Sequence, residues 1–436
     1  MKQTVRLIDL FAGMGGIRLG TEQALSERGL ASECVLTSEI KPYAVDVLLQ
    51  NHPNETVAGD ITEIPAESIP DFDILCAGFP CQPFSSAGNR DGFADTRGTM
   101  FFHIERILRE KKPRGFVLEN VEGLANHDGG RTLSIILGNL KALGYAVSWR
   151  VLNASDFGVP QERRRTYIAG ARADISKAGC PDIFIFPKRR SRLSDILESG
   201  LPCVDTPFTR RLLEKYPIAE LAGKSVKDRR GGKDNIHSWD LEIKGSVSAR
   251  QKELLGAIMT QRRKDKWADE AGVEPMDGMP LTEKQIRTFF NDENLSEMLA
   301  DLTEKGYMRY EHPKRLVAET ATAPDGREVT TTRREYDTEK EKGYNIVAGK
   351  LSFEVNEILN PNGTAPTLTA TDTRSIFVPD GNGIRRLTLR ECLRLFGYPD
   401  GFRFDVGEND GYNLLGNTVA VPVVKAVAER LIERIF

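Results

Sequence analysis

Between residues 5 and 170, short runs rich in β-branched residues alternate with runs of amphipathic helical spacing, and the first run ends in a glycine turn, Asp9-Leu10-Phe11-Ala12-Gly13-Met14-Gly15-Gly16. Few folds accommodate that order. Parallel strands need a long crossover, usually a helix, so the alternation predicts an α/β domain on a doubly wound, Rossmann-like parallel sheet. Strands are expected at Val5 to Phe11, Glu33 to Ile40, Ile74 to Gly78, Gly115 to Glu119, Ala146 to Leu152 and Arg165 to Ala169. Helices are expected at Ile17 to Arg28, Pro42 to Asn51, Met100 to Glu110 and Thr132 to Leu143. Each strand runs into a polar or glycine-containing loop, which puts any chemistry at the carboxyl edge of the sheet.

Glycines after the first strand let the backbone approach a ligand, and the helix that follows offers free N–H groups. A glycine turn alone is weak evidence, because many α/β proteins use one only to turn. Two acids at later strand ends add to it: Glu39, suited to ribose hydroxyls, and Asp60 in Gly59-Asp60-Ile61, suited to an adenine amino group. The turn lacks GxGxxG spacing, so an adenosine-containing cofactor other than a nicotinamide dinucleotide is the consistent reading.

Three further motifs lie at the same edge. Gly78-Phe79-Pro80-Cys81-Gln82-Pro83 follows an apolar strand and presents a cysteine on a loop, where a nucleophilic thiolate would be placed. Cys34, Cys76 and Cys392 sit among apolar neighbours and read as core residues. The glycine- and serine-rich stretch from Ser85 to Gly98 suits a segment that closes over a substrate. Glu119-Asn120-Val121 ends a strand; beside Cys81 its acid could protonate a ring nitrogen of a bound base. In Gln161-Glu162-Arg163-Arg164-Arg165, Arg163 and Arg165 would share one face of an extended segment and could anchor the acid and a phosphate. Taken alone, that triplet would read as a solvated edge.

This set, together with Gly416-Asn417-Thr418-Val419, resembles the bacterial DNA cytosine-5 methyltransferases in order and spacing, over about residues 4 to 172 and 384 to 436. The resemblance implies an S-adenosylmethionine-dependent enzyme in which Cys81 adds to C6 of a flipped cytosine. Glu119 would protonate N3, Arg165 would hold the base and Glu119, and Arg163 would support the site or a backbone phosphate. The family's cofactor contacts carry over to Phe11, Gly13, Gly15, Glu39, Ile40, Asp60, Ile61 and Pro80, with Asn417, Thr418 and Val419 from the C-terminal segment; Met100 is a weaker candidate. No metal is implied. The family further implies double-stranded DNA as substrate, a role as the modification half of a restriction system with a cognate endonuclease, and a bacterial, cytoplasmic, nucleoid-associated location. A monomer is the simpler expectation, since one site and one target strand suffice. An RNA cytosine methyltransferase and a non-catalytic DNA-binding regulator are the alternatives.

Domains are expected at 1–172 (catalytic and cofactor-binding), 173–384 (target recognition) and 385–436 (completing the catalytic domain). In the middle region Thr282 to Phe290, Leu295 to Lys305 and Gly306 to Glu311 suggest a helix-turn-helix with a following wing, a plain helical hairpin being the alternative. Thr320 to Arg334 reads as an exposed hairpin or loop. The 436 residues carry a net charge of −3, so a nucleic-acid surface has to be local. Its candidates are Lys224 to Lys233, with five positive residues, and Arg262 to Lys266, with four. The six cysteines show no paired metal spacing and suit a reducing compartment. Apolar stretches fall short of the roughly 18 residues of a membrane span, and neither a span nor a signal peptide is expected.

Overall fold

The computed structural model describes residues 3–80, 100–177, 183–228, 232, 234–322, 328–347, 353–371 and 373–436. The chain divides into two compact units, one of residues 1–199, 360–374 and 387–436, the other of residues 200–359 and 375–386. Residues 173–199 and 360–374 therefore pack with the first unit, because hydrogen bonds such as Gly158 N to Arg189 O and Ala365 N to Pro160 O bind them to the loop before the last strand.

A seven-stranded sheet organises the first unit. Its strands are β1 (Thr4–Leu10), β2 (Ala31–Ser38), β3 (Val57–Ala58), β4 (Ile74–Gly78), β5 (Gly115–Val121), β6 (Tyr145–Asn153) and β7 (Arg164–Arg172), in the order β3-β2-β1-β4-β5-β7-β6. Helices α1 (Gly16–Glu27), α2 (Pro42–Asn51), α3 (Met100–Lys111) and α4 (Arg131–Ala142) alternate with the strands. Strand residues alternate between two cores: Val5 and Leu7 join α1 and the C-terminal helix Val421–Ile435 on one face, while Ile8 and Leu10 join α3 and α4 on the other. A strand buried on both faces has to be apolar at nearly every position, which is why these segments stand out in the sequence.

The fold is α/β and doubly wound, with one correction to the expected all-parallel sheet. Strand β7 runs antiparallel to both β5 and β6. The ten residues between β6 and β7 contain only one short 3-10 turn, Ala154–Asp156. Without a crossover helix the chain can only return antiparallel. The reversal matters for function, since it brings the start of β7, rather than its end, to the edge where β4 and β5 finish.

The C-terminal stretch closes the unit. Thr388 and Glu391 form a capping box on the helix Leu389–Leu395, which ends at Gly397 in the left-handed region (φ 74°). A second helix, Glu408–Asn417, precedes the Val421–Ile435 helix. Val421 O and Val424 press on Gly20 of α1, where a Cβ would come within 2.9 Å of that oxygen.

The second unit holds a five-stranded sheet with a core that includes Leu212, Val226, Phe377 and Ile384, and a separate helical core. The latter joins helices Ala249–Gln261, Lys266–Ala271, Glu283–Arg287 and Leu295–Glu304 to the antiparallel strands Met308–Glu311 and Gly343–Ile346. Between those strands lies the hairpin of Lys314–Thr322 and Glu328–Tyr336, and Leu281 bridges to Tyr344. Helix, turn, helix, strand, hairpin and returning strand is the order of a winged helix, the fold read from 282–311.

One member of the two basic runs departs from expectation. Arg262 is 2% exposed and donates from Nη1 to Asn345 Oδ1 at 2.9 Å, a structural bond inside the winged-helix core. Arg263 pairs with Asp277 and Lys224 with Asp234, and the Asp228 carboxylate is buried and accepts from Ser238 N. Residues 229–231 and 233 lie outside the described residues. Charge in a one-dimensional run does not reveal which members the fold turns inward. Among the described residues no helix is long and apolar enough to cross a membrane.

Candidate active site

The glycine turn after β1 holds Phe11, Gly13 and Gly15 at φ 54°, 56° and 78°. For Phe11 that conformation costs about 1–2 kcal/mol, strain retained at the rim of a cavity. Glu39 at the end of β2 locks the turn: its carboxylate accepts from Gly13 N at 2.7 Å and from Ile40 N and Lys41 N at 2.9 Å. Three of its roughly four lone-pair sites are used, leaving an oriented acceptor. Asp60 caps the next turn by accepting from Thr62 N, and those hydrogen bonds hold its carboxyl below the usual range. Between the two acids Ile40 stands 66% exposed.

These residues line one cavity of about 600 Å³ at the carboxyl edge of the sheet. Phe11, Gly13, Glu39, Ile40, Asp60, Ile61 and Pro80 are in its wall, as are Asn417, Thr418, Val419 and Met100. Gly15 is not; it sits behind the wall against Leu48. Oriented acids at the ends of β2 and β3, with apolar Phe11 and Ile40 beside them, suit the ribose, purine and amino group of an adenosine.

The other side of the cavity carries the ends of β5 and β7. Glu119, its side chain 12% exposed, lies 3.3 Å from Arg165 Nε. Burial pushes its carboxyl up, against the opposing pull of Arg165 and then Arg163. A glutamic acid that keeps its proton above the ordinary range can donate it to a ring nitrogen. Asn120 donates from Nδ2 to Phe79 O at 2.9 Å, tying the residues before Pro80 to the end of β5. Cys81 and the 85–98 segment lie outside the described residues.

Arg163 and Arg165 both line the cavity, yet only Arg165 meets the acid. Arg163 is 3% exposed, and its guanidinium donates to the carbonyls of Leu368, Gly416 and Thr418, the last at 2.6 Å. Burial pushes it down to about 10. It fastens the C-terminal segment to the entrance of β7, while its buried Nε–H has no partner among the described residues. Arg163→Met is expected to lower the unfolding free energy by about 2–4 kcal/mol, measured by urea denaturation; a change below about 1 kcal/mol would show that water replaces the guanidinium.

Of the wall residues to which the sequence assigns no role, Gly16, Asn120 and Gly416 lie inside the quoted motifs, whereas Lys41 and Asn413 lie outside them. The glycines had a local signal. A Cβ on Gly416 would lie 2.2 Å from Ala370 N, a close approach that only glycine permits. For Asn413, which accepts from Tyr43 OH across 370 positions, nothing local could have served.

The sheet order, the reversed β7 and a cavity at the carboxyl edge define the class, an α/β methyltransferase. The same fold occurs in the S. pombe Dnmt2 methyltransferase structure (TM-score 0.54, 17% identity, 98% of each chain). The family model for C-5 cytosine-specific DNA methylase matches residues 5–433. Type II methyltransferase M.NlaIV of Neisseria lactamica is 54% identical over 437 residues, covering 99% of each chain, and M.BanI of Aneurinibacillus aneurinilyticus is 39% identical over 98% of this chain and 96% of its own. The chain belongs to the C-5 cytosine-specific DNA methylase family, and is a DNA (cytosine-5-)-methyltransferase.

Proposed function

We propose that the protein methylates C5 of one flipped cytosine within a specific duplex sequence, through a covalent bond between Cys81 and C6, with S-adenosylmethionine as methyl donor. The observation that carries this reading is Glu119, its proton stabilised by burial, in the same cavity as the adenosine-suited wall. Bound there, S-adenosylmethionine supplies an electrophilic methyl group. Phe11, Gly13, Glu39, Ile40, Asp60, Ile61, Pro80 and Asn417 to Val419 would hold it, with Gly15 shaping the turn behind them.

Cytosine C5 is too weak a nucleophile to take a methyl group unaided. The Cys81 thiolate forms an S–C6 bond, the C5–C6 π pair shifts into a C4–C5 double bond, and the C4–N3 π pair moves onto N3, which takes the Glu119 proton, leaving an enamine that is nucleophilic at C5. Arg165 orients Glu119, and Arg163 acts as the clamp on the C-terminal segment. With the methyl on C5, the N3 proton returns to Glu119; solvent then takes the C5 proton, the C–H pair forms the C5–C6 double bond, and the S–C6 pair leaves with the Cys81 thiolate, which restores the aromatic ring. Stacking shields C6 in a duplex, so the nucleotide must be flipped at a cost of a few kcal/mol.

Residues 200–359 and 375–386 serve in this reading as the target-recognition region, with residues 1–199, 360–374 and 387–436 as the catalytic part. The names of the similar Type II methyltransferases support a place in a restriction-modification system, with a cognate endonuclease cutting the same site when unmethylated. A cytoplasmic, nucleoid-associated monomer fits that role. The test is incubation with mixed-sequence duplex DNA and methyl-labelled S-adenosylmethionine, followed by bisulfite mapping. Label at C5 of one cytosine in a recurring motif is expected; transfer to RNA alone, or DNA binding without transfer, would overturn the reading.

A further inference from the structure

Gly397, left-handed at the end of helix Leu389–Leu395, turns the chain so that Tyr398 points inward, its N–H bonded to Leu393 O at 3.1 Å. The ring packs on Phe402, and the side chain is buried (3% exposed). Its hydroxyl lies 2.7 Å from Thr418 Oγ1. It also abuts Gly16, the first residue of α1, where a Cβ would fall 2.5 Å from the phenol oxygen. Thr418 is thus gripped twice, through its hydroxyl by Tyr398 and through its carbonyl by Arg163.

Two hydroxyls carry two protons, and one contact between them consumes only one. Among the described residues Thr418 Oγ1 is the single hydrogen-bond partner of the Tyr398 hydroxyl, and the Tyr398 hydroxyl the single partner of Thr418 Oγ1. A buried phenol must spend its proton on an acceptor, and Thr418 is the acceptor present. Burial also pushes the phenol's ionisation up, so it stays a donor at neutral pH. The remaining proton is that of Thr418, which lines the cavity and has no protein acceptor among the described residues.

The geometry points to Tyr398 as a positioning residue for the cofactor: by donating to Thr418 it aims the Thr418 hydroxyl proton into the cavity, toward an acceptor atom of bound S-adenosylmethionine. This rests on the cofactor reading given above. Tyr398 touches neither reacting atom, so its loss should appear in cofactor binding and leave DNA affinity unchanged.

Equilibrium dialysis of the full chain with labelled S-adenosylmethionine, without DNA, tests it. Tyr398→Phe is expected to weaken binding by roughly three- to tenfold, about one hydrogen bond, and Thr418→Val by a similar or larger factor. Thr418→Ser, which keeps the hydroxyl, should bind within about twofold of the unaltered chain, a margin below the worth of one hydrogen bond. Because Tyr398 acts through Thr418, the double variant Tyr398→Phe with Thr418→Val should bind no more weakly than Thr418→Val alone. Thermal melts identify variants that fold. Unaltered binding by Tyr398→Phe, multiplication of the two factors in the double variant, or an equal loss of DNA affinity would each overturn the proposal while leaving the cofactor reading intact. No binding by the unaltered chain would overturn that reading and the proposal together.

Discussion

Replacing Cys81 by alanine is expected to reduce methyl transfer by at least about four orders of magnitude while S-adenosylmethionine and duplex DNA still bind. The expected loss is so large because, among the described residues, no other group in the site can activate C5. Glu119 can only withdraw electron density through N3, and Arg165 can only orient Glu119 and the base. Without the S–C6 bond, the ring has no nucleophilic carbon to offer. The measurement is transfer of labelled methyl under single-turnover conditions, with DNA and cofactor affinities determined alongside. Residual transfer within about a hundredfold of the unaltered rate, far above what loss of a nucleophile leaves, would mean that C5 is activated without the thiolate.

Glu119→Gln is expected to slow transfer by about 10²–10⁴-fold and to remove one limb of the pH profile. The sign follows from the surroundings of the carboxyl. Burial raises its ionisation, only partly opposed by Arg165 and Arg163. The acid is therefore protonated and competent below its folded-state value, and competence is lost as pH rises through it. Because that value lies above the ordinary glutamate range, the decline should begin at higher pH than for an exposed glutamate. A rate that climbs as the Cys81 thiolate forms and then falls as Glu119 ionises gives a bell-shaped profile. In Glu119→Gln the falling limb should vanish. If it persists, the descending ionisation belongs to another group and Glu119 is not the N3 acid.

The site is a confluence of short segments. Glu39 holds the glycine turn through Gly13 N and its own segment through Ile40 N and Lys41 N, Asn120 fixes Phe79, and Arg163 fixes Gly416 and Thr418. The Gly13–Glu39, Asn120–Phe79 and Arg163 bonds join parts distant in the chain and fix the walls of the cavity before any ligand arrives. Such preorganisation spares the protein reorganisation at the moment of reaction.

Much of this was legible locally. β4 and α2 match their expected limits, and β1, β5 and α1 begin or end within about two residues, the ordinary blur of element boundaries. Those segments are apolar on both faces or on one helical stripe, so burial and pattern coincide. The winged helix was legible for the same reason, its apolar positions repeating at helical spacing. Arg262 was not: nothing in Arg-Arg-Lys-Asp-Lys marks one arginine for the Asn345 side chain and another for Asp277.

Local pattern is enough to give the class of fold, the edge of the sheet that bears the site and the chemical character of its residues. Strand and helix periodicities, glycines at turns and acids at strand ends are local properties of the chain. Long-range packing sets the backward run of β7, the use of Arg163 on main-chain carbonyls and of Arg165 on Glu119, and the reach of Tyr398 to Thr418. Those outcomes depend on which partners meet across tens to hundreds of residues. A polar group drawn into the interior takes whatever partner the packing brings within reach, and no local pattern encodes that meeting.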